Sequence, residues 1–207
     1  MQVVTVEQGI VLNEPGIEPD RIWFPHTGMV SLLAVMTDGK AVETATVGRE
    51  GVVGAMAGLG VHIPLTRAVI QVRLVASRIA TASFRRAVQA SPVLREMIVR
   101  YNDLLLGQVQ VTAACNALHP IQKRLARWIL QTRDRIETDV VPLTQELLSE
   151  MLGVRRSSVS EIAGRLQATG LIRYSRGSIE ILNRRALEAA SCECYAVIRD
   201  QSAQMHL

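Results

Sequence analysis

The 207-residue chain has no apolar run long enough to span a membrane, and its amino-terminal segment lacks the basic start and apolar core of a signal peptide. These absences predict a cytoplasmic protein without a membrane partner. Cysteine is also scarce, because the chain has only Cys115, Cys192 and Cys194, and the last two are separated by one residue. We therefore expect reduced thiols and no structural disulfide framework.

Recognisable catalytic and metal-binding patterns are missing as well. The four histidines, His26, His62, His119 and His206, are scattered along the chain, and no Ser/His/Asp, Cys/His or paired-carboxylate arrangement accompanies them. The sequence therefore predicts no enzyme and no catalytic residue. The Cys-Glu-Cys motif at 192–194 could sense a metal or thiol oxidation. Without a convergent histidine or a fourth cysteine, however, it predicts neither a metal site nor a cofactor.

Positive charge is modest and unevenly placed. The net charge is +4, and residues 119–185 hold 12 basic and 7 acidic residues, whereas residues 1–90 hold 8 and 7. A basic carboxy-terminal half is what phosphate neutralisation by a DNA-binding domain requires, although a solvated surface can have the same excess.

The most informative stretch is residues 143–182, LTQELLSEMLGVRRSSVSEIAGRLQATGLIRYSRGSIEIL. Its apolar residues recur at helical offsets in two groups, with Thr144 as N-cap of the first helix and Gly153 at the turn between them. The groups are Leu147, Leu148, Met151 and Leu152, and then Val159, Ile162, Ala163 and Leu166. Two short helices joined through a glycine, followed by two alternating runs that predict a β-hairpin, indicate a winged helix-turn-helix.

In such a motif the early polar residues of the second helix contact bases, and the hairpin, or wing, lies near phosphates. Arg156 has the donors for guanine, and Glu161 could either accept from cytosine or pair with Arg165 four residues on. An ordinary helical hairpin with a solvated basic surface is the alternative. The candidate DNA-binding residues are Thr144, Arg155, Arg156, Ser157, Ser158, Ser160, Glu161, Arg165, Arg173 and Arg176.

The first 84 residues have the pattern of short strands. Apolar runs such as VSLLAVM and AVETATV alternate with turn signals, and Asp38-Gly39 between these two runs predicts a hairpin. We expect an antiparallel barrel or sandwich. The glycine-rich segment VGREGVVGAMAGLG lies in its middle, where backbone could approach a ligand closely.

From Ser91-Pro92 the periodicity becomes helical, and apolar residues recur at alternating offsets of four and three. This spacing predicts a coiled-coil seam of two copies of the chain, although the same stripe could pack onto its own barrel. The predicted seam is Met97, Tyr101, Leu104, Gln108, Val111, Cys115 and Leu118. His119-Pro120 ends this helix, and the tail from Arg184 to Leu207 is predicted as one more amphipathic helix.

A β-rich first half, a long helix and a winged helix-turn-helix together resemble the Crp/Fnr family of bacterial transcription regulators. The resemblance implies an α+β chain with a cyclic-nucleotide-binding-like antiparallel β-barrel or jelly roll at 1–90. A dimerisation helix at 91–118 and a winged helix-turn-helix with a carboxy-terminal helix at 119–207 would follow.

The resemblance also places a candidate effector pocket at Gly51, Val52, Val53, Gly54, Thr66 and Arg67. Members that bind cyclic AMP carry a Glu where this chain has Val52, and an Arg-Ser pair where it has Thr66-Arg67. Cyclic AMP is therefore not the expected effector, which stays unidentified. An iron-sulfur centre of the Fnr type is not expected either, because no cysteine precedes Cys115.

The sequence thus predicts a homodimeric regulator that binds double-stranded DNA at a pseudo-palindromic site, with RNA polymerase as a further partner if it activates transcription. Two alternatives stay open. One is a constitutive DNA-binding protein whose barrel is only a dimerisation scaffold. The other is a nucleotide-binding module coupled to something other than DNA.

Overall fold

The computed structural model describes residues 1–175 and 177–203. Arg176, one of the candidate phosphate contacts, and the last four residues of the predicted tail helix lie outside this range. Within it, no helix combines the length and the apolar composition needed to cross a membrane.

The first half folds as one antiparallel sheet with a short 3-10 helix, Ala55–Gly58, beside it. Its strands run in the order β1-β5-β3-β4, and β2 pairs with β5. The strands are β1 Gln2–Val6, β2 Val11–Asn13, β3 Arg21–Val35, β4 Ala41–Val47 and β5 Thr66–Ala80. The predicted hairpin at Asp38-Gly39 joins β3 to β4, and Gly39 has the positive φ of 83° that such a turn favours.

The predicted antiparallel β-rich first half is confirmed, but its sheet does not close into a barrel, because the described strands form an open sheet in which β1 and β4 are the ends of the pairing order. Helices that follow in the sequence pack against β3 and β4, so the sheet buries apolar surface on helices instead of on further strands.

Three helices connect the halves: α1 Thr81–Ala90, α2 Pro92–Leu118 and α3 Ile121–Ile136. Helix α2 begins as predicted, because the Ser91 hydroxyl accepts from the Leu94 amide at 3.2 Å and Pro92 occupies the first helical position. His119-Pro120 forms the short break before α3.

Five of the seven residues of the predicted seam on α2 are buried or half-buried within the chain itself. Tyr101, Gln108 and Cys115 are buried, and the Gln108 amide hydrogen-bonds Thr46 of β4. Leu104 and Val111 are half-buried, and only Met97 and Leu118 are exposed. A second stripe with the same spacing, shifted by two residues, lies on the exposed side. It consists of Val99, Asp103, Leu106, Gln110, Ala113 and Ala117, of which only Gln110 and Asp103 are polar.

In its described residues the second half contains a three-stranded sheet, β6-β8-β7, and the four helices α4 to α7. The elements are β6 Val140–Pro142, α4 Gln145–Leu152, α5 Arg156–Ala168, β7 Ile172–Ser175, β8 Ser178–Ile181, α6 Arg184–Ala190 and α7 Cys194–Ala203. The predicted single tail helix is therefore two helices. The chain turns between them because Ser191 is extended and its hydroxyl bonds back to the Glu188 carbonyl.

The two halves share a core. Met29 and Leu33 of β3 belong to the same buried cluster as Trp128 and Ile129 of α3 and Leu148 of α4. The helix-turn-helix is thus packed against the first sheet, and its orientation depends on that contact.

Candidate nucleic-acid interface and thiol cluster

Helices α4 and α5 form the predicted helix-turn-helix. The Thr144 hydroxyl caps α4 by accepting from the Leu147 amide at 3.2 Å. Gly153 ends α4 with a φ of 64°, a conformation that costs other residues roughly 1 kcal/mol or more. Val159 and Leu166 on the inner side of α5 are fully buried. The apolar residues thus fix α5 against α4 and leave its other side free.

The outer side of α5 is polar and exposed. Arg155 precedes the helix at the N-cap position, and Ser158 is half-buried. The exposed candidates are Arg155, Arg156, Ser157, Ser160, Glu161 and Arg165. Because side chains early on a recognition helix contact base edges, this exposed face has the composition of a base-reading surface.

Three of these candidates form ion pairs in the free chain. Arg156 pairs with Glu146 of α4, and Arg165 pairs with Glu161 at 2.6 Å. Arg173 on the wing pairs with Glu180 of the neighbouring strand. These exposed pairs contribute at most about 1 kcal/mol each, so they are weak enough to exchange for contacts with DNA.

Only four of the six predicted effector residues line the same cavity. Val52, Val53, Gly54 and Thr66 line a cavity of about 110 Å³ between the sheet and α2. Gly51 instead packs on Tyr101, and a side chain there would come within 2.6 Å of the Tyr101 hydroxyl.

Arg67 is also absent from this cavity, because its guanidinium pairs with Glu14 at 2.9 Å. No lysine or arginine is present among the described lining residues. A phosphate placed in the cavity would therefore have no cationic partner there.

The three cysteines and His119 converge at the break between α2 and α3. Their ligand-type atoms all lie within 4.8 Å of one another. The Cys115 and Cys192 sulfurs are 3.5 Å apart, and a hydrogen bond from the Cys192 thiol lowers the pKa of Cys115 to about 4. The same bond, together with burial, raises the pKa of Cys192.

Sequence reasoning found no histidine converging on the thiols, and the structure supplies one. The signal was present as the four-residue separation of Cys115 and His119, about one helical turn, which brings His119 at the C-cap of α2 close to Cys115 in its last turn. The approach of Cys115 and His119 to Cys192 and Cys194 depends on tertiary folding across about 75 residues, which no local pattern predicts.

Comparison with known proteins agrees with this architecture. Residues 123–190 match the family described as the Crp-like helix-turn-helix domain. Comparison of the sequence with curated proteins finds no match.

Solved structures resemble nearly the whole chain. A CRP-family transcriptional regulator from Thermus thermophilus is similar with a TM-score of 0.76 and 20% identity, over 91% of this chain and 96% of that one. FixK2 from Bradyrhizobium japonicum has a TM-score of 0.77 and 14% identity over 92% and 97% of the two chains.

The c-di-GMP responsive regulator CLP from Xanthomonas campestris has a TM-score of 0.71 and 15% identity over 88% and 94%. The chain therefore has the fold of Crp/Fnr regulators and contains a Crp-like helix-turn-helix domain.

Proposed function

We propose that the chain is a sequence-specific DNA-binding transcription regulator that binds a pseudo-palindromic operator as a homodimer. The observation that carries the proposal is the exposed polar face of α5, held by the Gly153 turn and the buried apolar face behind it. This face lies within the residues that match the Crp-like helix-turn-helix domain.

Arg156 is the first candidate for base recognition, because a guanidinium can donate two hydrogen bonds to the O6 and N7 atoms of guanine. Ser157 and Ser160 would contact bases or phosphate from the same face. Arg173, on the wing, is in a position to contact the phosphate backbone. Each ion pair described above would have to open for its arginine to take part.

Dimerisation through α2 is supported by the exposed stripe and not by the seam expected from the sequence. Two residues turn an α-helix through about 200°, so the shifted stripe lies opposite the face that packs on β4. Val99 and Leu106 are 53% and 50% exposed, and with Ala113 they recur every seven residues. This is the repeat that two parallel helices bury against each other.

The effector of such a regulator is not cyclic AMP in this proposal. Val52 replaces the expected carboxylate, and Arg67 is paired with Glu14 outside the cavity. A regulator that needs no small-molecule effector is the alternative, favoured by the small volume of the cavity. RNA polymerase would be the second partner of an activator.

Selection of bound sequences from random duplex DNA tests the proposal, followed by affinity measurement with the Arg156→Ala variant. Arg95→Ala, an exposed arginine on α2, is the matched control. We expect a two-fold symmetric consensus, and a loss of about 1 to 3 kcal/mol for Arg156→Ala alone. Equal affinity of both variants for the selected duplex would contradict the assignment of Arg156.

A further inference from the structure

The cluster of Cys115, His119, Cys192 and Cys194 has the composition of a closed metal site. The three thiols are 0%, 3% and 6% exposed, and the His119 side chain is 19% exposed. Cys115 lies in the last turn of α2 and His119 directly follows that helix, whereas Cys192 lies in the turn between α6 and α7 and Cys194 is the first residue of α7. Two ligands from each of two separate segments is the usual construction of a structural zinc site.

The separations within the cluster fit one tetrahedral ion. With metal–sulfur bonds of about 2.3 Å and a metal–nitrogen bond of about 2.0 Å, tetrahedral geometry places two sulfurs about 3.8 Å apart and a sulfur and a nitrogen about 3.5 Å apart. The Cys115 and Cys192 sulfurs are 3.5 Å apart, and the Cys194 sulfur is 3.6 Å from Nδ1 of His119.

The orientation of His119 is fixed by a carboxylate on its other side. Nε2 of His119 lies 3.2 Å from Oε1 of Glu193, so Nδ1 is directed at the thiols. Histidines that bind metals usually donate their second ring N–H to such an oxygen, which sets the tautomer and orients the ring. Glu193 lies between Cys192 and Cys194, so one three-residue motif supplies two thiols and the carboxylate that orients His119.

We propose that Cys115, His119, Cys192 and Cys194 bind one zinc-class divalent cation in a tetrahedral Cys3His site. Binding replaces the thiol S–H protons, which pass to solvent, and leaves three thiolates, a neutral imidazole and a dication. The resulting charge of −1 is offset by the buried guanidinium of Arg127, whose charge acts on Cys115.

Other uses of the thiols fit the geometry less well. A disulfide between Cys115 and Cys192 would leave Cys194 and the oriented His119 without a role. An iron-sulfur cluster places several metal atoms between its thiolates and therefore needs a wider cage than 4.8 Å. With all four positions supplied by the protein, the site is structural and has no open position for a reaction.

The ion would join α2 to the segment between α6 and α7, and so connect the long helix directly to the carboxy-terminal helices. Residues 120–191 form a loop closed by this connection, and they include the whole helix-turn-helix. Because an ion that binds only the folded state stabilises it, the melting temperature of the full chain should rise with metal.

Titration of the full-length, reduced, metal-free chain with Co²⁺ tests the site without any DNA. We expect one Co²⁺ per chain, with the thiolate charge-transfer band and the intense visible bands of tetrahedral cobalt, and loss of these bands when Zn²⁺ is added. Cys115→Ser and Cys194→Ser should abolish them, and His62→Gln, outside the cluster, should not. Weak octahedral cobalt bands, or unchanged binding by the cysteine variants, would overturn the proposal.

Glu193→Gln provides a test that does not remove a ligand and leaves the buried packing intact. Loss of this outer partner should weaken Co²⁺ binding about tenfold with the tetrahedral spectrum retained. Glu96→Gln is the matched control on exposed α2 surface. Unchanged Co²⁺ affinity in Glu193→Gln would show that Glu193 does not support the site. Separately, iron together with acid-labile sulfide in the anaerobically purified chain would overturn the assignment of a single metal ion.

Discussion

Trp128 of α3 donates its indole N–H to Oε1 of Glu43 on β4 at 2.9 Å, and this bond joins the first sheet to the helices beside the helix-turn-helix. The other carboxylate oxygen accepts from the Ser31 hydroxyl at 2.6 Å. Burial raises the pKa of Glu43 to about 7, although the charges of Arg127 and Arg135 partly oppose the rise. The contact between the halves therefore contains a carboxyl group that titrates near neutral pH.

The folded chain should accordingly lose stability as pH rises from about 4.5 to about 7. In that interval the folded state holds a proton on Glu43 that the unfolded state has released, so the free energy of unfolding falls with pH. The shift corresponds to about 3 kcal/mol. Denaturant unfolding at several pH values measures it.

Glu43→Gln should flatten this dependence, because the amide is neutral throughout and still accepts from Trp128. Glu7→Gln, on the exposed surface, should keep the slope of the wild type. Identical slopes in wild type and Glu43→Gln would contradict the role assigned to Glu43.

The pair of Glu146 and Arg156 predicts that the free chain partly restrains its own candidate base reader. Glu146→Gln should raise affinity for the selected duplex severalfold, because an exposed pair of this kind contributes about 0.2 to 1 kcal/mol. Glu7→Gln, which removes an exposed pair with Arg73 on the first sheet, is the control. Weaker binding by Glu146→Gln would mean that Glu146 positions Arg156 instead of competing with DNA.

Two glycines of the helix-turn-helix should respond to alanine in opposite directions. Gly164 is exposed in α5 with open space around it, so Gly164→Ala should stabilise the fold by about 0.5 to 1 kcal/mol. Gly153 has a φ of 64°, so Gly153→Ala should destabilise it by about 1 to 2 kcal/mol. Thermal unfolding distinguishes them, and equal effects would argue against the turn as described.

The exposed stripe of α2 predicts where the proposed dimer forms. Leu106→Glu should convert the chain to a monomer in sedimentation experiments, because it places two carboxylates in the middle of the paired helices. Leu65→Glu, at a leucine that is 87% exposed outside this stripe, should leave the dimer intact. A dimeric Leu106→Glu variant would exclude this face of α2 from the interface.

Sequence reasoning located the helix-turn-helix well because its signals are local. Thr144, Gly153 and the apolar spacing around them lie within about 25 residues and act through capping, backbone conformation and one helix face. The Asp38-Gly39 hairpin was predictable for the same reason. Such local features can be predicted without knowing which surfaces are buried by distant parts of the chain.

Features that depend on tertiary contact could not be predicted in the same way. Helix α2 carries two stripes of equal spacing, and periodicity alone does not tell which of them is covered by β4 and its neighbours. The thiols of Cys115 and Cys192 meet only because α7 packs along α2. The break between α6 and α7, which brings Cys194 to His119, has no strong breaker residue to mark it.

The salt dependence of affinity for the selected duplex, measured beside a scrambled duplex of equal length, tests the central claim most directly. A DNA-binding dimer should show log K falling linearly with log salt, by about 0.9 per phosphate contacted, and should bind the selected duplex far more tightly at each salt concentration. Equal affinity for both duplexes, with little change as salt rises, would contradict the assignment of the exposed α5 face to DNA.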